Sequence, residues 1–313
     1  MLNLIASVAG RPWAIRADIV EHVRGVLARE GFSGLRSFAE LKAGVHAFDG
    51  DDGPRAARPQ QRSTAGGVIA LIPVIGTLTQ RGDFINSVAT RSTASVAAEV
   101  QSAAVDATVA AIVLEVDSPG GEVFGVPEAW SAIRDAAAVK PVVAVANSMA
   151  ASAALYLASA ATELWVTHSG TVGSVGVYTL HVDASKAIAD AGESWTFIVA
   201  DESPFKVEAN PAGPLSGDAQ AKLQAEVNRY MDMFVRDLAR GRGVARDSVR
   251  RDFGKGRMLS PEEAVAVKMA DQVGTLEQAV RRAAQLAREA RSAAPAAGGP
   301  DERIAAAARL RSL

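Results

Sequence analysis

The chain of 313 residues contains no cysteine and only four histidines. Without cysteine it has no thiol nucleophile, no disulfide bond and no cysteine-ligated metal. The histidines are scattered and lack the H-E-x-x-H spacing of a zinc peptidase, so we expect neither a metal nor another cofactor. The four positions are His22, His46, His168 and His181.

The chain also lacks an excess of positive charge and a long apolar run. Lys and Arg total 33 against 35 Asp and Glu, a formal charge of −2, which does not favour nucleic acid as a partner. The apolar stretches are interrupted before they reach membrane-spanning length. Residues 1–9 lack the basic start and the long apolar run of a signal peptide. We therefore expect no membrane partner and a protein that stays in the bacterial cytoplasm, where it is made.

Changes in composition divide the chain into four parts. Residues 1–46 form a helical extension, with one helix that begins at Asp18 and stops at Gly31. Residues 47–66 are rich in Gly, Pro, Asp and Arg and are interpreted as a linker. Residues 67–280 form the main domain. Residues 281–313, rich in Ala and Arg, are expected to be a mobile tail.

The main domain alternates short apolar runs with helical patterns. Continuous apolar strands between helices predict a sheet covered on both faces, which is the α/β class. The predicted strands are 68–72, 110–116, 142–146, 164–166 and 195–199, and the helices are 94–107, 127–139, 152–161 and 183–191.

Two further helices are predicted after residue 210. The first is long and amphipathic, with Leu223, Tyr230 and Phe234 on its apolar face, and it is expected to stop at Gly241. The second begins at residues 260–263, whose sequence SPEE has a Ser cap, a Pro at the first position and a Glu three residues after the cap. We expect that helix to end near residue 274.

Two segments of the main domain suggest an acyl-transfer site. Residues 117–121 read DSPGG and follow one predicted strand, while residues 147–156 read NSMAASAALY and follow the next. Glycines offer bare backbone N–H groups to an oxyanion, and Ser152 falls at the start of a helix, where the dipole favours negative charge. Ser152 is thus the candidate nucleophile, with Ser148 and Ser159 as competitors. The alternative is that Ser152 only caps the helix.

The base that would activate Ser152 is less evident. His168 and His181 have no obvious orienting carboxylate in the sequence. Lysine is the other base that pairs with serine, but a free lysine is protonated at neutral pH and requires desolvation to act as a base. From the residues alone the base stays open.

Four motifs in order resemble the signal peptide peptidase A (protease IV) family. Besides the two segments above, these are residues 170–177, GTVGSVGV, and residues 205–207, FKV, with NP at 210–211. Within that family the chain most resembles the head-maturation proteases of tailed phages, of the C-protein type. The resemblance implies a ClpP/crotonase-like fold built from repeated β-β-α units.

The resemblance also implies the roles of individual residues. Ser152 would be the nucleophile, Lys206 the general base and Ser174 the hydroxyl that holds the lysine amine. The oxyanion donors would be the N–H groups of Ala153 and of Gly120 and Gly121. The family assembles into closed oligomers in which the serine and the lysine can belong to different protomers, so the resemblance implies a homo-oligomer. The phage type within the family implies capsid or scaffold proteins as substrates, in the host cytoplasm or the phage prohead.

The lysine assignment has one weakness. The family usually places a glycine shortly before the lysine, whereas this chain reads DESPFK at 201–206. Phe205 and Val207 would point away from Lys206 in a strand, so its apolar cover would come from elsewhere, such as a neighbouring subunit. Lys186 and Lys222 are the fallback bases.

Other enzyme classes fit the sequence less well. Residues 203–206 spell S-x-x-K, but no Lys-Thr-Gly or Ser-x-Asn partner accompanies them, and G-x-S-x-G is absent. Three hypotheses remain: a Ser–Lys endopeptidase that processes phage capsid or scaffold proteins, a crotonase-like acyl-CoA enzyme, and a catalytically silent assembly module.

Overall fold

A largely parallel sheet forms the centre of the molecule. The computed structural model describes residues 13–15, 59–64, 67–82, 84–85 and 88–293. Its main sheet has the order β13-β12-β10-β8-β3-β2, and β11 lies between β10 and β14. The strands of this sheet are β2 (Gln60–Thr64), β3 (Gly67–Ile75), β8 (Val109–Ser118), β10 (Val142–Ala151), β11 (Glu163–Val166), β12 (Thr171–Gly173), β13 (Met258–Leu259) and β14 (Gln272–Val273).

A second, smaller sheet carries the order β1-β9-β4-β7. Its strands are β1 (Trp13–Ile15), β4 (Leu78–Thr79), β7 (Arg91–Ser92) and β9 (Gly120–Glu122), and a separate pair consists of β5 (Phe84–Ile85) and β6 (Val88–Ala89). The strands β4 and β9 directly follow β3 and β8, so each long strand continues into a short strand of the other sheet.

Eight α-helices and two short 3-10 helices complete the described part of the chain. The α-helices are α1 (Thr93–Val105), α2 (Val126–Val139), α3 (Ala153–Ala158), α4 (Ser185–Asp190), α5 (Gly217–Arg242), α6 (Arg246–Asp252), α7 (Pro261–Ala266) and α8 (Leu276–Ala293). The strands β3 and β4 are followed by α1, with the short strands β5, β6 and β7 inserted before the helix, and β8 and β9 are followed directly by α2, so a β-β-α unit is repeated. The α/β class and the ClpP/crotonase-like repeat expected from the sequence are therefore confirmed.

Successive residues of the central strands point alternately to the two faces of the sheet, and both faces are buried. Ile112 and Leu114 of β8 face the larger core, which also holds residues of α1, α2, α3 and α5. Val113 of β8 and Val143 of β10 face the opposite side, where α8 covers them with Ala279, Val280, Ala283, Ala284 and Ala287. Because both faces are covered, the strands need apolar residues at every position, which explains their continuous apolar sequence.

Most predicted elements are confirmed, and several differ. Residues 195–199 form no strand: they have no regular structure, and Ile198 is 95% exposed. Residues 60–64 of the expected linker form β2, which pairs with β3. The helix that begins after Ser260 has the predicted capping box but ends at Ala266 rather than near residue 274.

The packed unit also extends past the expected boundary at residue 280. Helix α8 continues to Ala293, and Ala283, Ala284 and Ala287 lie buried against the sheet. Small alanine side chains let the helix approach the strands closely, so an Ala-rich sequence here signals packing rather than mobility. The predicted helix from Asp18 to Gly31 and the rest of the tail lie outside the described residues.

Gly241 was predicted to end the long helix, but α5 continues to Arg242 and is capped by Gly243 in the left-handed conformation, with φ 63°. Gly241 lies inside the helix, at the point where the helix packs closely against the end of α3. A Cβ at residue 241 would lie 2.2 Å from the carbonyl oxygen of Ser159. The glycine is required by this close approach and not by the end of the helix.

Gly241→Ala is accordingly expected to destabilise the protein by roughly 1–3 kcal/mol, the range for overpacking a tight contact. Helix propensity alone predicts the opposite sign, because alanine is favoured over glycine by about 1 kcal/mol. Gly217→Ala, at the start of the same helix, is the matched control, since a Cβ there meets nothing within 4 Å. Urea unfolding of both variants measures the difference, and equal stabilities would contradict the packing explanation.

Candidate active site

Ser152 lies at the junction between β10 and α3 and is 1% exposed. Its backbone has φ 54° and ψ −117°, a conformation that non-glycine residues rarely adopt. The side chain forms no capping hydrogen bond with α3, and the hydroxyl instead lies 3.5 Å from the carbonyl of Gly176. Ser152 is therefore held in a strained turn without serving as a helix cap.

The end of β10 is irregular before this turn. The pairing with β8 shifts between Ala146 and Ala150, so residues 147–149 bulge out of register. The bulge is fixed by side chains, since Asn147 donates to Glu115 at 2.8 Å and Ser148 donates to Asp117 at 2.8 Å. Ser148, a competing nucleophile in the sequence, is thus exposed and hydrogen-bonded to a carboxylate.

Ser174 lies beside Ser152. Strand β12 runs parallel to the end of β10 with Ala151 opposite Gly173, so the next residues along the two strands are the two serines. The N–H of Ser152 donates to the carbonyl of Gly173 at 2.8 Å. Ser174 also has a positive φ of 53°. The structure thus brings together the two serines that lie 22 residues apart in the chain.

The glycines of β9 lie on the other side of the serine. Ser118, the last residue of β8, pairs with Ala150, and β9 begins two residues later. A Cβ at Gly121 would lie 1.8 Å from the carbonyl oxygen of Leu78 in the neighbouring β4, so no side chain fits at residue 121. Ala153 is the first residue of α3, and its N–H has no acceptor within the helix.

Ser118 is a residue that the sequence analysis did not single out. Its buried hydroxyl donates to the carbonyl of Gly76 at 2.6 Å and accepts from the N–H of Gly120 at 3.2 Å. These bonds fix the turn between β8 and β9. They also engage the N–H of Gly120, one of the predicted oxyanion donors.

Helix α3, which follows Ser152, is anchored on α5 by a buried polar cluster. The Tyr156 hydroxyl donates to the carboxylate of Asp237, which also accepts from Arg236 at 2.7 and 2.8 Å. Burial opposes ionisation of Asp237, but the hydrogen bonds from Arg236 and Tyr156 hold its pKa below the usual range. Burial, reinforced by Asp237, raises the pKa of Tyr156, so the phenol stays a donor.

Lys206 is exposed and lies in a one-turn 3-10 helix, Pro204–Val207, so the alternation that a strand would give to Phe205 and Val207 does not apply. Its side chain makes no hydrogen bond or ion pair with the residues that the structure describes. The fallback bases Lys186 and Lys222 are exposed as well. Among the described residues of one chain, no lysine amine is hydrogen-bonded to the Ser152 hydroxyl, which contacts the carbonyl of Gly176.

The segment 178–212, called here the lysine arm, carries Lys206 and is poorly covered. It contains several exposed large apolar side chains: Leu180 is 37% exposed, Trp195 41%, Phe197 44%, Ile198 95% and Phe205 71%. The arm folds back on itself, because Ala184 donates to the carbonyl of Pro211 at 2.7 Å. A concentration of exposed apolar side chains of this kind is typical of a surface that packs against another molecule.

No histidine takes the place of the lysine among the described residues. His168 is exposed, and the Nε2 atom of His181 lies 3.5 Å from the carbonyl of Asn210 in the lysine arm. His22 and His46 lie outside the described residues.

The unusual backbone of Ser152 leads to a prediction on stability. In a strand, glycine is ordinarily less stable than alanine by roughly 0.5–1 kcal/mol. At residue 152 we expect the reverse order, with Ser152→Gly more stable than Ser152→Ala by about 1 kcal/mol, because a positive φ costs a non-glycine residue roughly 1–3 kcal/mol. Thermal unfolding measures the pair. The same two substitutions at Ser148, which has no positive φ, should keep the ordinary order.

Comparison with known proteins gives the family. Residues 134–290, half of the chain, match the model of peptidase family S49. The chain belongs to this family, and the resemblance predicted from its motifs is confirmed. Ser152, Ser174 and Lys206 all lie within the matched residues.

Two phage proteins are among its relatives. The chain is 33% identical over 224 residues to capsid assembly protease C of Escherichia phage lambda, covering 71% of this chain and 49% of that protein. It is 32% identical over 182 residues to the head-tail preconnector protein GP5 of Enterobacteria phage P21, covering 58% of this chain and 36% of that protein. The chain thus spans half or less of the length of these relatives.

One solved structure to which the chain is structurally similar is a mutant of the membrane-bound stomatin-specific protease 1510-N. It has a TM-score of 0.44 and 16% sequence identity, over 68% of this chain and 82% of that one. In the described part of this chain, no helix is long and apolar enough to cross a membrane. The same residues contain no group of three or more His, Asp or Glu side chains placed to hold a metal ion.

Proposed function

We propose that the chain is a serine endopeptidase in which Ser152 is the nucleophile, Lys206 the general base and Ser174 the hydroxyl that orients the lysine amine. The observation that carries the proposal is the strained turn at Ser152. Backbone strain of this kind persists where a catalytic side chain must be presented, and here it lies beside Ser174 and the glycine strand β9.

The chemistry is acyl transfer in two stages. The Ser152 hydroxyl attacks the carbonyl carbon of the scissile peptide while its proton moves to the neutral lysine amine. The tetrahedral intermediate collapses, the C–N bond breaks, and the lysine ammonium gives the proton to the leaving amine. Water then attacks the acyl-enzyme, with the same lysine as base, and releases Ser152.

Two features of the chain would support these steps. The N–H groups of Gly121 and Ala153 would stabilise the oxyanion, helped by the N-terminal dipole of α3. A narrow apolar recess lies next to Tyr156, on the first turn after Ser152, and it would have to widen to accept an apolar side chain of the substrate. It is lined by Val123, Val126, Pro127, Tyr156, Val177, Tyr230, Met233 and Phe234.

The position of Lys206 favours a homo-oligomer. A lysine that acts as a general base needs an apolar cover over its amine, and the described residues of its own chain leave Lys206 exposed. The lysine arm exposes Trp195, Phe197, Ile198 and Phe205 around it. We propose that the arm packs against a second copy of the chain, where these side chains exclude water and deliver Lys206 to a serine.

The relatives suggest which proteins are cut. Two of them are named for capsid assembly and for the head-tail preconnector of phages. By analogy, the chain would process capsid or scaffold proteins during phage head maturation, in the host cytoplasm or the prohead. An extended, accessible segment of such a protein would be the substrate.

A fluorophosphonate probe tests the nucleophile directly. We expect one adduct per chain by intact mass, mapped to Ser152, and none in Ser152→Ala. Ser148→Ala is the matched control, because it removes an exposed hydroxyl four residues away and should label like the wild type. Labelling at another serine would overturn the assignment.

The same experiment separates the other two hypotheses. A crotonase-like acyl-CoA enzyme does not need Ser152 and would bind an acyl-CoA without a covalent adduct. A silent assembly module would oligomerise, resist the probe and leave co-expressed capsid proteins intact. Either result would replace the endopeptidase proposal.

A further inference from the structure

Strand β1, from the N-terminal part of the chain, covers one edge of the glycine strand β9. The pairing is antiparallel, with Ile15 opposite Gly120, Ala14 opposite Gly121 and Trp13 opposite Glu122. The other edge of β9 is already paired with β4 through Leu78. In the described part of the chain, β1 therefore occupies the remaining edge of β9.

The direction of β1 relates it to the candidate nucleophile. Strand β9 begins at Gly120, two residues after Ser118, and Ser118 pairs with Ala150 at the end of β10. Because β1 is antiparallel to β9, its last residue, Ile15, lies at the end of β9 that is nearer to Ser152. The chain in β1 thus runs along the glycine strand towards the catalytic serine.

An extended peptide substrate would need the same place. A protease that cuts extended segments aligns them by main-chain hydrogen bonds to a strand edge, and β9 offers such an edge beside the serine and its oxyanion donors. Gly121 lies at the centre of this edge. It has no side chain because the backbone of Leu78 leaves no room for one. Strand β1 and a substrate strand cannot pair with it at the same time.

We propose that residues 13–15 act as an intramolecular inhibitor, which holds the place of the substrate strand on β9 until a protein substrate displaces it. The inference rests on the proposed function. A tethered segment competes at an effective concentration of roughly millimolar order, so dilute peptides are excluded, whereas substrates concentrated in an assembly compete. The chain would thus cut mainly where its substrates are crowded.

Proline substitutions in the full chain test the inhibitor. Proline has no N–H, and in an antiparallel pair alternate residues direct their N–H groups to the partner, so Ala14→Pro or Ile15→Pro removes a bond to β9. Loss of one backbone hydrogen bond corresponds to a change of about three- to tenfold. We expect at least one of the two variants to label with a fluorophosphonate, and to cleave β-casein, faster by that factor. Ala56→Pro, in the segment predicted to be a linker, is the control and should react like the wild type.

A second measurement reports the pairing without catalysis. In the Ser152→Ala background, hydrogen exchange at the amides of β9 should be faster in the more reactive proline variant than in Ala56→Pro. Labelling at Ser152 with equal rates in all chains would overturn the inhibitor and leave the proposed function intact. Absence of labelling at Ser152 in every chain would overturn the proposed function, and the inhibitor with it.

Discussion

Ser152→Ala is expected to lower the rate of peptide-bond cleavage by roughly four to six orders of magnitude, as for other enzymes that lose an activated nucleophile. We expect this large loss because of where Ser152 lies. Among the described residues, only Ser152 is at the start of α3 in a strained turn, between β9 and Ser174. The measurement is the initial rate of β-casein cleavage by the purified variant, together with intact mass of capsid proteins co-expressed with it.

The fold should survive this substitution, because alanine keeps the Cβ and removes only a hydroxyl whose nearest acceptor lies at 3.5 Å. A circular dichroism melt close to that of the wild type would verify this. Ser148→Ala is the matched control in the same segment, because Ser148 is exposed, whereas the buried Ser159 hydroxyl accepts from Trp130 and cannot be removed without cost. Cleavage that persists in Ser152→Ala, or that is lost in Ser148→Ala instead, would refute the assignment of the nucleophile.

Lys206→Ala is expected to slow acylation by roughly two to four orders of magnitude, the contribution of a positioned general base. The rate of fluorophosphonate labelling measures this step without a need for the natural substrate. Lys186→Ala and Lys222→Ala are matched controls, since both lysines are exposed and were the fallback bases. If either control loses activity while Lys206→Ala keeps it, the base is assigned to the wrong lysine.

Mixing the two inactive variants tests whether the lysine comes from a neighbouring subunit. In mixed oligomers of Ser152→Ala and Lys206→Ala, an intact serine meets an intact lysine of another chain at roughly a quarter of the sites. We expect activity to return to about that fraction after exchange of subunits. Mixtures that stay inactive, although each variant oligomerises, would show that serine and lysine act within one chain.

The main features of the fold could be predicted because they depend on local patterns. Four of the five predicted strands in the main domain and the start of α7 are confirmed, since continuous apolar runs and a capping box are direct consequences of burial and of helix termini. The position of Ser152 between a strand and a helix follows from the same patterns. Its positive φ does not, because serine carries no marker of that conformation.

The predictions from the sequence were wrong where one residue pattern can have two physical causes. Residues 195–199 are apolar, which is equally typical of a buried strand and of a surface that another molecule covers. Gly241 is a glycine at the end of a helical pattern, yet the close approach of Ser159 and not a C-cap requires it. The short strand β1 is set by β9, a partner more than a hundred residues away in the chain, which no local pattern reveals.

Helix α8 has a consequence for the order of events during synthesis. It supplies the cover for one whole face of the sheet, over Ile69, Val113 and Val145, although it is the last described helix to be translated. While the ribosome is still making that helix, this face has no partner. The nascent chain therefore exposes an apolar sheet surface of the kind that chaperones bind. This face of the sheet is therefore completed only after residue 293 has emerged.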